Sequence, residues 1–111
     1  MYDYNHRWEE ITMNINKHLN GSELTIKLEG KLDSTTAPAL EQVITTSLKG
    51  ITSLIFDFEQ LEYLSSAGLR ILLVSQKVMD KQGSMIVRHV NEDIMDIFDM
   101  TGFVNILTIE K

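Results

Sequence analysis

Apolar and polar residues alternate from Ile11 to Asn16, with Ile11, Met13 and Ile15 on one side and Thr12, Asn14 and Asn16 on the other. A period of two is that of an extended strand with one buried face. Leu24, Ile26 and Leu28 repeat the pattern against Thr25, Lys27 and Glu29, and the tight-turn pair Asn20-Gly21 lies between the two runs. The segments are therefore predicted to form a β-hairpin, which Gly30 ends. The period then changes. Asp33-Ser34-Thr35-Thr36 ahead of Pro38 reads as a helix start, Leu40, Val43, Ile44 and Leu48 follow at helical spacing, and Gly50 closes the segment. Leu54-Ile55-Phe56-Asp57-Phe58 is dense enough in apolar residues to predict a buried strand over about residues 53–58. Ser65-Ser66 opens a second helix whose broad apolar surface suits packing on a sheet, and Lys81-Gln82-Gly83 ends it. Met85–Val90 reads as a strand. Asn91 then caps a short helix bearing Ile94, Ile97 and Phe98, which Thr101-Gly102 stops, and Val104–Ile109 reads as a final strand. Residues 1–9 fit no period and are expected to be a loosely ordered arm carrying Trp8 as a docking candidate, which leaves one domain over residues 10–111.

A hairpin followed by alternating helices and strands predicts an α/β fold. Its sheet is expected to be mixed but mostly parallel, with four to five strands and three to four helices. Functional loops in such sheets lie past the carboxyl ends of the strands. Asp33-Ser34-Thr35 and Ser65-Ser66 both fall in strand-to-helix connections, so they are expected to share one edge of the molecule. A serine at a helix N-terminus can cap unpaired N–H groups, or it can carry a phosphate that those groups and the helix dipole accommodate. Both readings stay open for Ser65 and Ser66, as do capping and turn roles for Asp33.

Composition removes several chemistries. The 111 residues contain no cysteine, which excludes disulfides, thiol catalysis and thiolate metal sites and permits a reducing, cytoplasmic setting. No apolar run approaches the roughly 20 residues that cross a bilayer. A formal charge of −6 disfavours nucleic acid and anionic membranes as partners. His6, His18 and His89 are isolated and match no metal-ligand spacing, and there is no glycine-rich phosphate loop. Ser65-Ser66-Ala67-Gly68 lacks the preceding glycine of a hydrolase elbow. Asp57, followed by Phe58 within its strand, does not suit a phosphate-receiving aspartate. The expectation is a protein with no catalytic residues, metal or cofactor.

The segment Phe58-Glu59-Gln60-Leu61-Glu62-Tyr63-Leu64-Ser65-Ser66-Ala67-Gly68-Leu69 resembles the signature of bacterial anti-sigma factor antagonists, the stand-alone STAS domains. Three further pieces match that family in order: Leu28-Glu29-Gly30-Lys31-Leu32-Asp33, Lys81-Gln82-Gly83-Ser84-Met85, and Ile97-Phe98-Asp99-Met100-Thr101-Gly102-Phe103. Together they span about residues 24–107.

The resemblance implies a partner-switching protein without catalysis of its own. In the unphosphorylated state such a protein binds an anti-sigma factor that is also a serine kinase. Phosphorylation of one serine separates the pair, and a metal-dependent serine phosphatase restores binding. That serine falls on Ser66, and the aspartate of the earlier loop falls on Asp33. Ser34, Thr35, Leu64, Ser65, Ala67, Gly68, Leu69 and Arg70 are the partner-binding residues it implies, in a monomer or weak dimer. The chain departs from the pattern at Ser65, where the family has aspartate, at Ala67, where it has a hydroxyl residue, and at Arg70, where many relatives have glycine. An arginine one turn beyond Ser66 could pair with a phosphate there or stand in solvent. The alternative function is a STAS adaptor or scaffold that binds a signalling partner without being phosphorylated.

Overall fold

A computed structural model describes residues 13–111. The predicted arm, Trp8 and the start of the first strand at Ile11 lie outside the described residues. Strand β1 (Met13–Asn20) turns through Gly21-Ser22 into β2 (Glu23–Leu32), with Asn20 paired to Glu23 across the turn. Gly21 takes a φ of 65°, a left-handed conformation that glycine adopts without a steric penalty. Helix α1 (Ala37–Ser47) follows, then β3 (Ser53–Leu64), α2 (Ser66–Asp80), β4 (Ser84–Arg88) and α3 (Glu92–Thr101). The sheet order is β1-β2-β3-β4, with β1 antiparallel to β2 and the other two pairings parallel. The architecture is thus α/β, with a four-stranded, mostly parallel mixed sheet and three helices.

The core is one apolar cluster beneath the helices. Ile26, Leu28 and Leu32 from β2, Leu54, Phe56 and Phe58 from β3, Leu40 from α1, Leu72 and Met79 from α2, and Phe98 from α3 are completely enclosed. Helix α2 packs against α1, β3 and β4, so the broad apolar surface read from its sequence covers the sheet and a neighbouring helix. Gln82, just past α2, donates from Nε2 to the carbonyls of Leu48 and Ile51, each at 2.7 Å, tying the loop before β3 to the end of this helix.

Two strands run further than periodicity predicts. Gly30 does not end β2; it sits within it at a φ of 102°, and the strand continues to Leu32. Strand β3 continues to Leu64 because the pairing slips twice, between Lys27 and Glu29 and between Gly30 and Lys31 of its partner. Each slip places an extra residue in β3. The pleat is thereby reset, and Phe58, Leu61 and Leu64 all point inward at a spacing of three.

The predicted final strand does not form. Gly102, at a φ of 80°, ends α3 in the left-handed conformation, and Phe103–Asn105 wind into a short 3-10 turn. Val104 and Ile106, the apolar members of the expected alternation, are exposed. What remains of the strand is one parallel bridge from Ile109 to Val87, in which Val87 N donates to Thr108 O at 2.9 Å and Glu110 N donates to Val87 O at 2.8 Å. Strand β4 likewise stops at Arg88, since His89 leaves the extended conformation at a φ of 60°.

Candidate functional site

Parallel pairing of β2 with β3 continues to their last residues, Leu32 opposite Leu64. The chain therefore leaves both strands side by side, and the loops starting at Asp33 and Ser65 emerge together. A hydrogen bond joins them: Ser65 N donates to Leu32 O at 2.9 Å.

The Asp33 loop is held by its own hydroxyls. The Asp33 carboxylate accepts from Thr35 N at 2.9 Å, Thr35 Oγ1 at 2.7 Å and Thr36 N at 3.2 Å. Thr36 Oγ1 accepts from Asp33 N at 2.9 Å and donates to Lys31 O at 2.7 Å. Asp33 is thus a turn residue ahead of α1. The Thr35 hydroxyl, opposed by partial desolvation and reinforced by the N–H groups of Thr35 and Thr36 and the Thr36 hydroxyl, holds its carboxyl below the usual range.

At the second loop, Ser65 occupies the position before the first helical residue, with an extended backbone. Its side chain makes no capping bond, and its Oγ is buried without a hydrogen-bond partner among the described residues. Ser66 is the first residue of α2 and is exposed. The first helical bond here is Leu69 N to Ser65 O at 3.0 Å, so the N–H groups of Ser66, Ala67 and Gly68 open the helix ahead of the ladder. Neither serine acts as a side-chain cap. The exposed one stands at the positive end of the helix dipole, the setting in which a phosphate is accommodated.

Among the other expected partner-binding residues, Ser34, Thr35 and Arg70 are exposed and Asp33 and Ala67 are half-buried. Leu64, Gly68 and Leu69 are buried. Their contribution is to position the surface: Gly68 seats the first turn of α2 directly on Leu32 and Leu64. Ser34, Ala67 and Arg70 open onto a groove of about 230 Å³ between α1 and α2, with apolar walls from Ala37, Pro38, Ile44, Ile71 and Val74. A partner docking at Ser66 would meet this groove beside it.

A second polar cluster is not legible in the sequence. His89, read as isolated, places Nδ1 2.9 Å from Asp57 Oδ1, and Arg88 Nε lies 3.9 Å from Asp57 Oδ2. The two partners of this pair are far apart along the chain, so no spacing rule reveals them. The only local signal is a carboxylate set among Ile55, Phe56 and Phe58 in a buried strand, which requires a polar partner from elsewhere.

Known proteins share this fold. The STAS domain family matches residues 12–111. BtrV of Bordetella bronchiseptica, which carries the anti-sigma factor antagonist name, is 31% identical over 84 residues, covering 74% of this chain and 72% of its own. The anti-sigma-B factor antagonist of Bacillus subtilis is 24% identical over 89% of this chain and 92% of its own. An anti-sigma factor antagonist from Mycobacterium paratuberculosis superposes with a TM-score of 0.81 at 23% identity, over 88% of this chain and 85% of that one. The phosphorylated form of the Bacillus cell fate determinant SpoIIAA shares the fold at a TM-score of 0.70 and 19% identity, over 88% of this chain and 92% of that one. Anti-sigma factor antagonists are non-enzymatic regulators. With the fold, the order of motifs and the family match in agreement, the chain belongs to the STAS domain family, in its anti-sigma factor antagonist group.

Proposed function

We propose that this protein is a partner-switching antagonist whose state is set by phosphorylation of Ser66. The observation that carries the reading is the exposure of Ser66 at the mouth of α2, beside the Asp33 loop to which Ser65 N is bonded. The unmodified protein docks an anti-sigma factor serine kinase through Asp33, Ser34, Thr35, Ser66, Ala67 and Arg70, with Leu64, Gly68 and Leu69 holding that surface in place. Transfer of a phosphoryl group adds about −1.5 to −2 charge to a chain already at −6. The free protein accommodates it through the N–H groups of Ser66, Ala67 and Gly68, with Arg70 one turn along the same face. Within the docked pair the same phosphate meets desolvation and the nearby Asp33 carboxylate, and the complex separates. A metal-dependent serine phosphatase then restores the docking state. These events belong to the cytoplasm. Among the described residues, no helix is long and apolar enough to cross a membrane.

The test is incubation with candidate anti-sigma factor kinases and ATP, followed by intact mass measurement. One added phosphate, lost in Ser66→Ala, supports the reading. A Ser66→Asp variant should bind its kinase several hundredfold more weakly, a loss of about 3 to 4 kcal/mol. Unchanged affinity in that variant would overturn the switch. The adaptor reading is favoured by one feature, Ser65 in the place where the family has an acidic residue. It predicts partner binding with no phosphate incorporated.

A further inference from the structure

Asp57 is buried in the middle of β3, and a buried carboxylate is costly unless strong partners surround it. The Glu59 N–H donates to its Oδ1 at 3.0 Å, the His89 ring Nδ1 lies 2.9 Å from the same oxygen, and Arg88 Nε stands 3.9 Å from Oδ2. His89 reaches this carboxylate because its backbone takes a φ of 60°, the only positive value at a non-glycine residue among those described. One donor atom each from Asp57, Glu59 and His89 lie within 4.8 Å of one another.

We infer that Asp57, Glu59 and His89 form a binding site for a divalent transition-metal cation of the zinc class, separate from the Ser66 edge. Metal bonds from imidazole nitrogen and carboxylate oxygen of about 2.0–2.2 Å place neighbouring ligand atoms roughly 3.0–3.4 Å apart. The 2.9 Å between His89 Nδ1 and Asp57 Oδ1 is a hydrogen bond in the metal-free protein, so an entering ion takes the place of the Nδ1 proton, which is released to solvent, and the pair opens by a few tenths of an ångström to that spacing. Glu59 is exposed, and its carboxylate can swing in as the third ligand. One imidazole with two carboxylates suits zinc-class ions, whereas calcium and magnesium favour all-oxygen sets. The His89 side chain is 46% exposed, which leaves water to complete the coordination. Binding requires the neutral ring with its proton on Nε2, so that the Nδ1 lone pair faces the ion. Arg88, next to Asp57 Oδ2, opposes a second charge there and directs the cation to the Oδ1 side. A bound ion would pin the turn leading into α3 to the centre of β3.

Chelator-treated full-length protein should be titrated with zinc chloride by calorimetry and with cobalt chloride by visible absorption. One ion per chain is expected, with cobalt absorption bands reporting a mixed nitrogen and oxygen set. His89→Asn keeps a residue type that tolerates the left-handed backbone, and Glu59→Gln changes only an exposed side chain. Each should weaken zinc binding by at least about tenfold, with circular dichroism unchanged. Excess magnesium or calcium should not compete. Absence of saturable zinc binding, or unchanged affinity in either variant, would overturn the assignment.

Discussion

Gly68 in the first turn of α2 lies so close to Leu32 at the end of β2 that a Cβ on the glycine would stand 2.7 Å from Leu32 Cγ. It would also stand 2.6 Å from Leu64 Cδ1. Both leucines are enclosed and have no room to yield. This contact sets how near the helix carrying Ser66 comes to the strand that leads into the Asp33 loop. Gly68→Ala should therefore displace the first turn, costing about 1–3 kcal/mol by overpacking. Urea denaturation measures the loss. Partner affinity should fall with it, although no side chain on the docking surface has changed.

Gly83 gives a sharper case. A Cβ there would run into the backbone carbonyl of Thr52, which already accepts Ser84 N at 3.0 Å. Thr52 precedes β3 and its backbone is fixed on both sides, its N–H donating to Ser22 O at 2.9 Å, so it cannot move as a leucine tip can. Gly83→Ala should cost more than Gly68→Ala, about 3 kcal/mol or above, and should lower the thermal midpoint correspondingly.

Thr36→Val tests the support of the Asp33 loop. The substitution keeps the volume but removes a hydroxyl that accepts from Asp33 N and donates to Lys31 O. Two backbone groups are left without that partner, at a cost of about 1–3 kcal/mol. Denaturant titration should show the loss, and faster amide exchange at Asp33 should localise it.

Stability should rise with pH through the acid range. Asp33 and Asp57 both have folded-state pKa values below their ordinary ones. Their contribution is complete above the unfolded value of about 3.9 and disappears as pH falls through the lower folded values, because the unfolded chain binds more protons there. Urea midpoints measured downward from neutral pH should decline in that window. Asp57→Asn should make the decline shallower, whatever its effect on stability at neutral pH.

Phosphorylation of Ser66 should leave the isolated domain folded, since the acceptor is exposed and faces open helix N–H groups. The thermal midpoint of the phosphoprotein should stay within a few degrees of the unmodified form. Arg70→Ala should lower the phosphorylated form selectively, by no more than about 1 kcal/mol because the pair stands in solvent.

Local chemistry determined much of this protein. Asn20-Gly21 and the flanking alternation specify the hairpin, because a glycine supplies the left-handed turn and a period of two fixes the buried face. Asn91 specifies the start of α3, where its side chain accepts from Ile94 N at 2.9 Å, and Gly102 specifies its end. The order of strands and helices also fixes where Asp33 and Ser66 belong, since a parallel pair releases both loops at one edge.

Pairing between distant segments decided the rest. The length of β3 depends on two extra residues that appear only when β2 is laid beside it, and they turn a period of two into a spacing of three. The predicted last strand gives way to a 3-10 turn because β4 offers it one bridge and no ladder. Whether Ser65 and Ser66 cap the helix was undecidable from residue type, because capping depends on where each hydroxyl points once Gly68 has docked on Leu32. Asp57 and His89 meet for a similar reason: neighbouring parallel strands bring together residues that the chain keeps far apart.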